Sequence, residues 1–118
     1  MSTVTLSADD FADAVLADGI VLVAFWKASR LASRAFAPVL EAASGRHPDI
    51  LFARVDAGAE PDLPVAVGVR SIPTLMVFRD GVLVFAEPGV LPADSLELLI
   101  STVRELDMTA VRAQFPGR

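Results

Sequence analysis

The 118-residue chain has no cysteine, no tyrosine, one tryptophan and one histidine. Without a thiol it forms no disulfide, offers no thiolate to a metal and has no sulfur nucleophile. The lone His47 leaves imidazole catalysis and multi-histidine metal sites almost without material. Basic charge is short as well: ten Lys and Arg face fifteen Asp and Glu, for a formal net charge of −5. That balance argues against nucleic acid as the main partner, because a phosphate backbone is gripped by positive charge. Long apolar runs are also missing. The longest, Ile20 to Trp26, falls far short of the roughly 20 residues that cross a bilayer, so no membrane partner is expected. Met1 to Phe11 carries no basic stretch followed by an apolar one, and no secretory signal is read there. The expectation is a soluble, cytoplasmic protein, a compartment with which the lack of cysteine agrees.

What the chain does have is apolar side chains. Hydrophobic residues make up 53% and mean hydropathy is +0.54, which excludes intrinsic disorder. A chain of this length builds one domain and removes roughly 65% of its unfolded surface from water, enough to fold unaided. No internal repeat, low-complexity tract or long linker interrupts it.

Val4–Leu6 reads as a short strand. Ser7 and Asp10 have capping-box spacing and open a helix to about Leu16, which Asp18-Gly19 stops. Ile20–Trp26 is apolar on both parities, as in a central strand buried on both faces. From Arg30 to about Ser44 the spacing turns helical, with Phe36, Val39, Leu40 and Ala43 on one face. Pro38 is an internal kink and Gly45 the stop. Ile50–Val55 is a further strand, and Pro61–Val67 a short helix ended by Gly68. Thr74–Phe78 and Val82–Phe85 flank Asp80-Gly81, the strongest hairpin signal in the chain. Pro92 suits a first helical position, ahead of an apolar stripe of Leu96, Leu99, Ile100, Val103 and Leu106. These segments predict an α/β fold, a central mixed β-sheet flanked by α-helices, over residues 1–106. Residues 107–118 form a short extension whose Met108, Val111 and Phe115 share a face, as in a docked turn of helix.

Several of these segments carry a family resemblance. Val23-Ala24-Phe25-Trp26, followed by Arg34-Ala35-Phe36-Ala37-Pro38-Val39-Leu40-Glu41, resembles the strand and helix that bracket a thioredoxin active site. Arg70-Ser71-Ile72-Pro73-Thr74 is similar to that family's cis-proline loop. Asp80-Gly81 with Gly89 is similar to its terminal hairpin and to the glycine that lies close to the site. The match in order and separation runs from about Thr3 to Leu106, and the continuation is similar to actinobacterial members. The resemblance implies the thioredoxin fold, with a cis peptide bond before Pro73.

The departure is in the chemistry. Where the family has Trp-Cys-Gly-Pro-Cys, this chain has Ser29-Arg30-Leu31-Ala32-Ser33. By the resemblance, Arg30 stands for the nucleophilic cysteine and Ser33 for the resolving one. Ala24 stands for the buried aspartate that assists proton transfer, and Arg54 occupies a nearby position that is usually lysine. Disulfide exchange proceeds by thiolate attack through a mixed disulfide. Arg30 has no nucleophilic electron pair at neutral pH, and Ser33 forms no stable sulfur bridge. No thiol–disulfide reductase activity is expected, and no enzyme is implied. Ser29, Arg30, Leu31, Ala32 and Ala24 depart together, which marks a degenerate site and not a trapping substitution. Ala24 spares the burial of a carboxylate, of order several kcal/mol, and Leu31 in place of glycine adds up to ~1 kcal/mol of helix propensity. A stable fold is the expectation.

What is left points to binding. By the family resemblance, the backbone of Ser71 and Ile72 before Pro73 still suits an extended segment added as a strand, with Trp26 and Gly89 beside it. The alternative is that Pro73 is kept for the fold alone and Trp26 for packing. Lys27, Arg30, Arg34 and Arg70 should gather near one end, where a helix N-terminus beside arginines suits an anion; the alternative is an ordinary solvated face. The leading expectation is therefore a non-redox module that binds a protein or peptide partner, an acidic one if the arginines take part. Competing readings are a thioredoxin-type disulfide oxidoreductase by family label, or a glutathione- or anion-binding protein on the same groove. Hydroxyl chemistry at Ser29 or Ser33 lacks a convincing base. No cofactor or metal is expected: there is no glycine-rich phosphate loop, Asp56 and Glu60 are not at paired-catalyst spacing, and His47 reads as a solvated loop residue.

Overall fold

In the computed structural model, which describes residues 3–114, the strand that is apolar on both parities becomes the middle of the sheet. In chain order the elements are β1 (Val4–Thr5), α1 (Ala8–Val15), β2 (Ile20–Trp26), α2 (Leu31–Arg46), β3 (Leu51–Asp56), α3 (Asp62–Ala66), β4 (Thr74–Arg79), β5 (Val82–Pro88), α4 (Ala93–Arg104) and α5 (Met108–Ala113). The five strands lie in the order β1-β3-β2-β4-β5. β3 runs parallel to β1 and β2, while β4 runs antiparallel to β2 and β5.

Alternate residues of β2 feed two cores, because successive side chains of a strand point to opposite faces. Ile20, Leu22 and Ala24 pack with Phe36, Leu40 and Ala43 of α2 and with Leu96, Ile100 and Val103 of α4. Val21, Val23 and Phe25 pack on the other face with Phe11 and Val15 of α1 and with Val69. With helices on both sides, neither parity of β2 faces water, which is why the run is continuously apolar.

Local chemistry sets the boundaries. The Asp10 carboxylate accepts from the Ser7 Oγ at 2.9 Å, closing the start of α1. Asp80 and Gly81 both take positive φ, 52° and 80°, the pair that lets a two-residue turn follow the twist of β4 and β5. β5 continues to Pro88, three residues past the expected Phe85, with a register shift between Val77 and Phe78 opposite it. Two expectations are corrected. Gly45 lies inside α2, which runs to Arg46 and ends at His47 with φ −129° and ψ 71°. Pro48 is the reason: the residue before a proline is pushed out of the helical region. Pro92 is the N-cap of α4 and not its first helical residue, with ψ 158° and its carbonyl accepting from the Leu96 N–H at 2.9 Å. Past α4, the Asp107 carboxylate accepts from the N–H groups of Thr109 and Ala110 and so starts α5. Met108 of α5 is buried and Val111 half-buried; Phe115 lies outside the described residues.

Candidate functional site

The site forms where the C-terminal end of β2 meets the start of α2. Register places Ala24 beside Arg54 of β3 on one side and Leu75 of β4 on the other. Two residues on, Trp26 emerges on the same face as Ala24. The chain then turns, the Arg30 N–H donating to the Lys27 carbonyl at 2.9 Å, and α2 begins with Arg30 as an N-cap whose side chain accepts nothing. Ser33 is buried, and its Oγ accepts from the Lys27 N–H at 3.2 Å, which ties the turn to the first helical turn. From across the sheet comes the loop before β4. The Ile72–Pro73 peptide is cis, the Thr74 Oγ1 donates to the Ser71 carbonyl at 2.6 Å, and the Gly89 N–H donates to the Pro73 carbonyl at 2.8 Å. Gly89 has φ +102°, a backbone that other residues seldom adopt.

These elements enclose a small pocket lined by Ala24, Trp26, Ser33, Phe36, Ala37, Leu40, Arg54 and Pro73. The guanidinium carbon of Arg54 lies 5.2 Å from the centre of the Trp26 ring, a cation–π contact. Two buried donors, Trp26 Nε1 and Arg54 Nε, have no hydrogen-bond partner among the described residues. An unsatisfied buried donor costs about 1–3 kcal/mol, so this end of the molecule holds unused hydrogen-bonding capacity.

Of the residues singled out from sequence, Ala24, Trp26, Ser33 and Pro73 share this pocket, and Gly89 is bonded to Pro73. Ser71 is exposed and Ile72 half-buried on the rim. Lys27, Arg30, Arg34 and Arg70 are all exposed. Arg34 is committed, donating to the Ala28 carbonyl at 2.8 Å. Among the described residues, the side chains of Lys27, Arg30 and Arg70 make no hydrogen bond or ion pair. Arg54, from sequence only a basic residue nearby, is in fact the pocket's one charged lining residue; no pattern along the chain signals that contact.

His47 corrects an expectation. It is not a solvated loop residue: the ring stacks on Phe52 and both nitrogens are bonded. Nε2 lies 2.7 Å from Glu97 and Nδ1 3.0 Å from Arg104. Since arginine only donates, Nδ1 accepts and Nε2 donates. Arg46 also donates to Glu97, and Arg104 to both oxygens of Asp49. The Arg104 bonds draw the Asp49 carboxyl down from 3.8 to about 2. For Glu97, partial burial works to raise the value, but the bonds from His47 and Arg46 outweigh it and leave the carboxyl below its ordinary range.

The chemistry available at the pocket is limited. Arg30 carries no lone pair to attack with, and the Ser33 hydroxyl is buried. The single imidazole, His47, lies beyond the other end of α2, roughly 20 Å away at 1.5 Å per residue, and is out of reach of the serine. Among the described residues there is no group of three or more His, Asp or Glu placed to hold a metal ion, and no helix is long and apolar enough to cross a membrane.

The family model described as Thioredoxin matches residues 2–102. A Streptomyces coelicolor protein named "Putative thioredoxin 2" is 43% identical over 111 residues, covering 94% of this chain and 83% of that protein. A thioredoxin of Chlamydia muridarum is 40% identical over 96 residues, covering 81% and 93%. Among solved structures, a mutant thioredoxin from Halobacterium salinarum superposes with a TM-score of 0.82 at 27% identity, covering 89% of this chain and 93% of the other. The family model and the superposition thus span most of the chain, around a pocket that has no sulfur on it. The chain belongs to the thioredoxin family.

Proposed function

We infer that this thioredoxin-fold protein works by binding, taking an extended, acidic segment of a polypeptide along the rim formed by Ser71, Ile72 and the start of α2. One observation carries the reading. Among the described residues, neither the N–H nor the carbonyl of Ile72 enters a backbone hydrogen bond, while Leu31, the first residue of α2, leaves 73% of its surface to water. Unpaired backbone at Ile72 and an exposed apolar side chain at the start of α2 suit strand addition, in which main-chain bonds give affinity and neighbouring pockets select side chains. The unpartnered charges of Lys27, Arg30 and Arg70 favour carboxylates on the segment and repel basic ones. The loss of both cysteine positions to Arg30 and Ser33 fits a loss of redox activity, because nothing remains to carry a mixed disulfide.

The reading is tested with extended peptides carrying alternating Asp and apolar residues, titrated against the labelled protein while backbone amide resonances are followed. Shifts centred on Ser71, Ile72 and Leu31, and lost in Ile72→Glu, are expected. Shifts that avoid the rim, or that survive in Ile72→Glu, would count against it. In parallel, an insulin reduction assay should show no turnover.

A further inference from the structure

We propose that Lys27 is an acylation site, served by an acyl phosphate, through which one charge of the binding rim is switched off. Of the ten Lys and Arg residues all but one are arginine, and Lys27 is the single lysine. The fold holds its backbone and leaves its side chain loose. Its N–H donates to Ser33 Oγ and its carbonyl accepts from the Arg30 N–H. The ammonium of this exposed residue has no hydrogen bond or ion pair among the described residues. Its stem lies over the turn after β3, with Cε 3.9 Å from where a Cβ on Gly58 would sit. The carboxylates of that turn are given to backbone donors. Asp56 Oδ1 accepts from the N–H groups of Gly58 and Ala59, and Glu60 Oε1 from that of Ala8. No carboxylate has to be displaced before the nitrogen is reached.

The chemistry singles out this side chain. A guanidinium stays charged at neutral pH, so Arg30, Arg34 and Arg70 hold a fixed positive charge, while a lysine amine is the ordinary target of acylation and loses its charge by it. The free-base amine attacks the carbonyl carbon of the acyl phosphate. A C–N bond forms, the C–O bond to phosphate breaks, inorganic phosphate leaves with that electron pair, and the proton of the amine passes to water. The product is a neutral amide. A phosphate-bearing donor follows from the setting: Arg30, which closes the same turn, carries a guanidinium with no partner among the described residues, a group that attracts phosphate. With a single lysine in the chain, no other lysine competes for the donor. The switch rests on the peptide-binding reading above, since an acylated Lys27 offers an acidic segment one charge fewer. The acylation itself does not rest on it.

The test incubates the intact protein with acetyl phosphate in low-salt buffer and follows acetylation of Lys27 by peptide mass mapping. A synthetic peptide of residues 24–30, which carries the same lysine outside the fold, is the reference. Lys27 should react faster in the protein than in the peptide, and Arg30→Gln should slow it by about threefold or more. High salt should remove the same advantage. Equal rates in protein and peptide, or a rate that ignores both Arg30→Gln and salt, overturn the site. The acetylated protein should then bind the extended Asp-bearing peptide about two- to fivefold more weakly, the worth of one surface charge pair. Lys27→Arg, which keeps the charge and resists acylation, should lose no affinity on the same incubation. Affinity unchanged by acetylation overturns the switch. If the peptide fails to bind even the unmodified protein, the rim reading and the switch fall together, and the rates alone decide the acylation site.

Discussion

At the C-terminal end of α2, Arg46, His47 and Glu97 interlock, and Arg104 grips Asp49 while touching the same imidazole. At the N-terminal end, on the other side of a 16-residue helix, Arg30 has no partner among the described residues and the nitrogens of Trp26 and Arg54 are sealed in without one. The two ends draw on the same kinds of side chain. One commits its polar groups to fastening α2, α4 and the start of β3 together. The other ties down Ser33 and Arg34 but leaves Arg30, Trp26 Nε1 and Arg54 Nε without partners among the described residues.

The comparison breaks most sharply if chemistry is put back. Arg30→Cys with Ser33→Cys places two thiols one helical turn apart at the start of α2, and the double variant should form an internal disulfide in oxidising buffer. Thiol titration before and after oxidation measures this; two thiols that stay free would mean that the N-terminal end no longer holds the geometry. Next in size is Phe36→Ala. Phe36 is only 1% exposed, and loss of its ring should cost about 3–5 kcal/mol in denaturant unfolding, well beyond any polar change at either end. Glu97→Gln should cost about 1 kcal/mol, since Arg46 and His47 both lose a charged acceptor while solvent screens the exposed part of the cluster. If Glu97→Gln proves neutral, the fastened end is fastened by its apolar contacts alone.

Acid separates the ends further. The folded Asp49 and Glu97 carboxyls both titrate below their unfolded values. Their contribution is therefore complete above the ordinary carboxylate range and drains away as pH falls through it toward 2. Asp49→Asn should flatten the acid limb of a stability–pH profile taken from about pH 6 to about pH 3; an unchanged limb would place the acid sensitivity elsewhere. The smallest effect belongs to Leu31→Ser. It should move stability by no more than about 0.5 kcal/mol, as exposed positions do, yet weaken binding of the extended peptide. A variant that loses stability but keeps its peptide would invert the contrast.

The fold was readable because its signals were local and repeated: both parities of Ile20–Trp26, the stripe from Leu96 to Leu106, and Asp80-Gly81 each demand one kind of element. The degenerate site was readable from Arg30, Ser33 and Ala24 only through likeness to a family. Boundaries were harder. Gly45 looked like a stop because glycine often is one, but glycine only permits the left-handed turn, whereas Pro48 forbids the helix. The partners of His47 and the stacking of Arg54 on Trp26 could not be read along the chain. They join residues 50 and 28 positions apart respectively, and no periodicity carries contacts between separate elements. Unpaired donors are invisible for the same reason, since what a group lacks depends on everything folded around it.

Arg79, at the end of β4, donates to the carbonyls of Val103, Arg104 and Leu106, and the next residue, Asp80, accepts from the Gly19 N–H through its side chain and from Arg112 through its carbonyl. A hairpin tip, ordinarily the safest place to graft a tag or splice in a foreign loop, here serves as a rivet through which four stretches of chain are clasped. Anyone wishing to lengthen or label this molecule would do better to leave that corner alone.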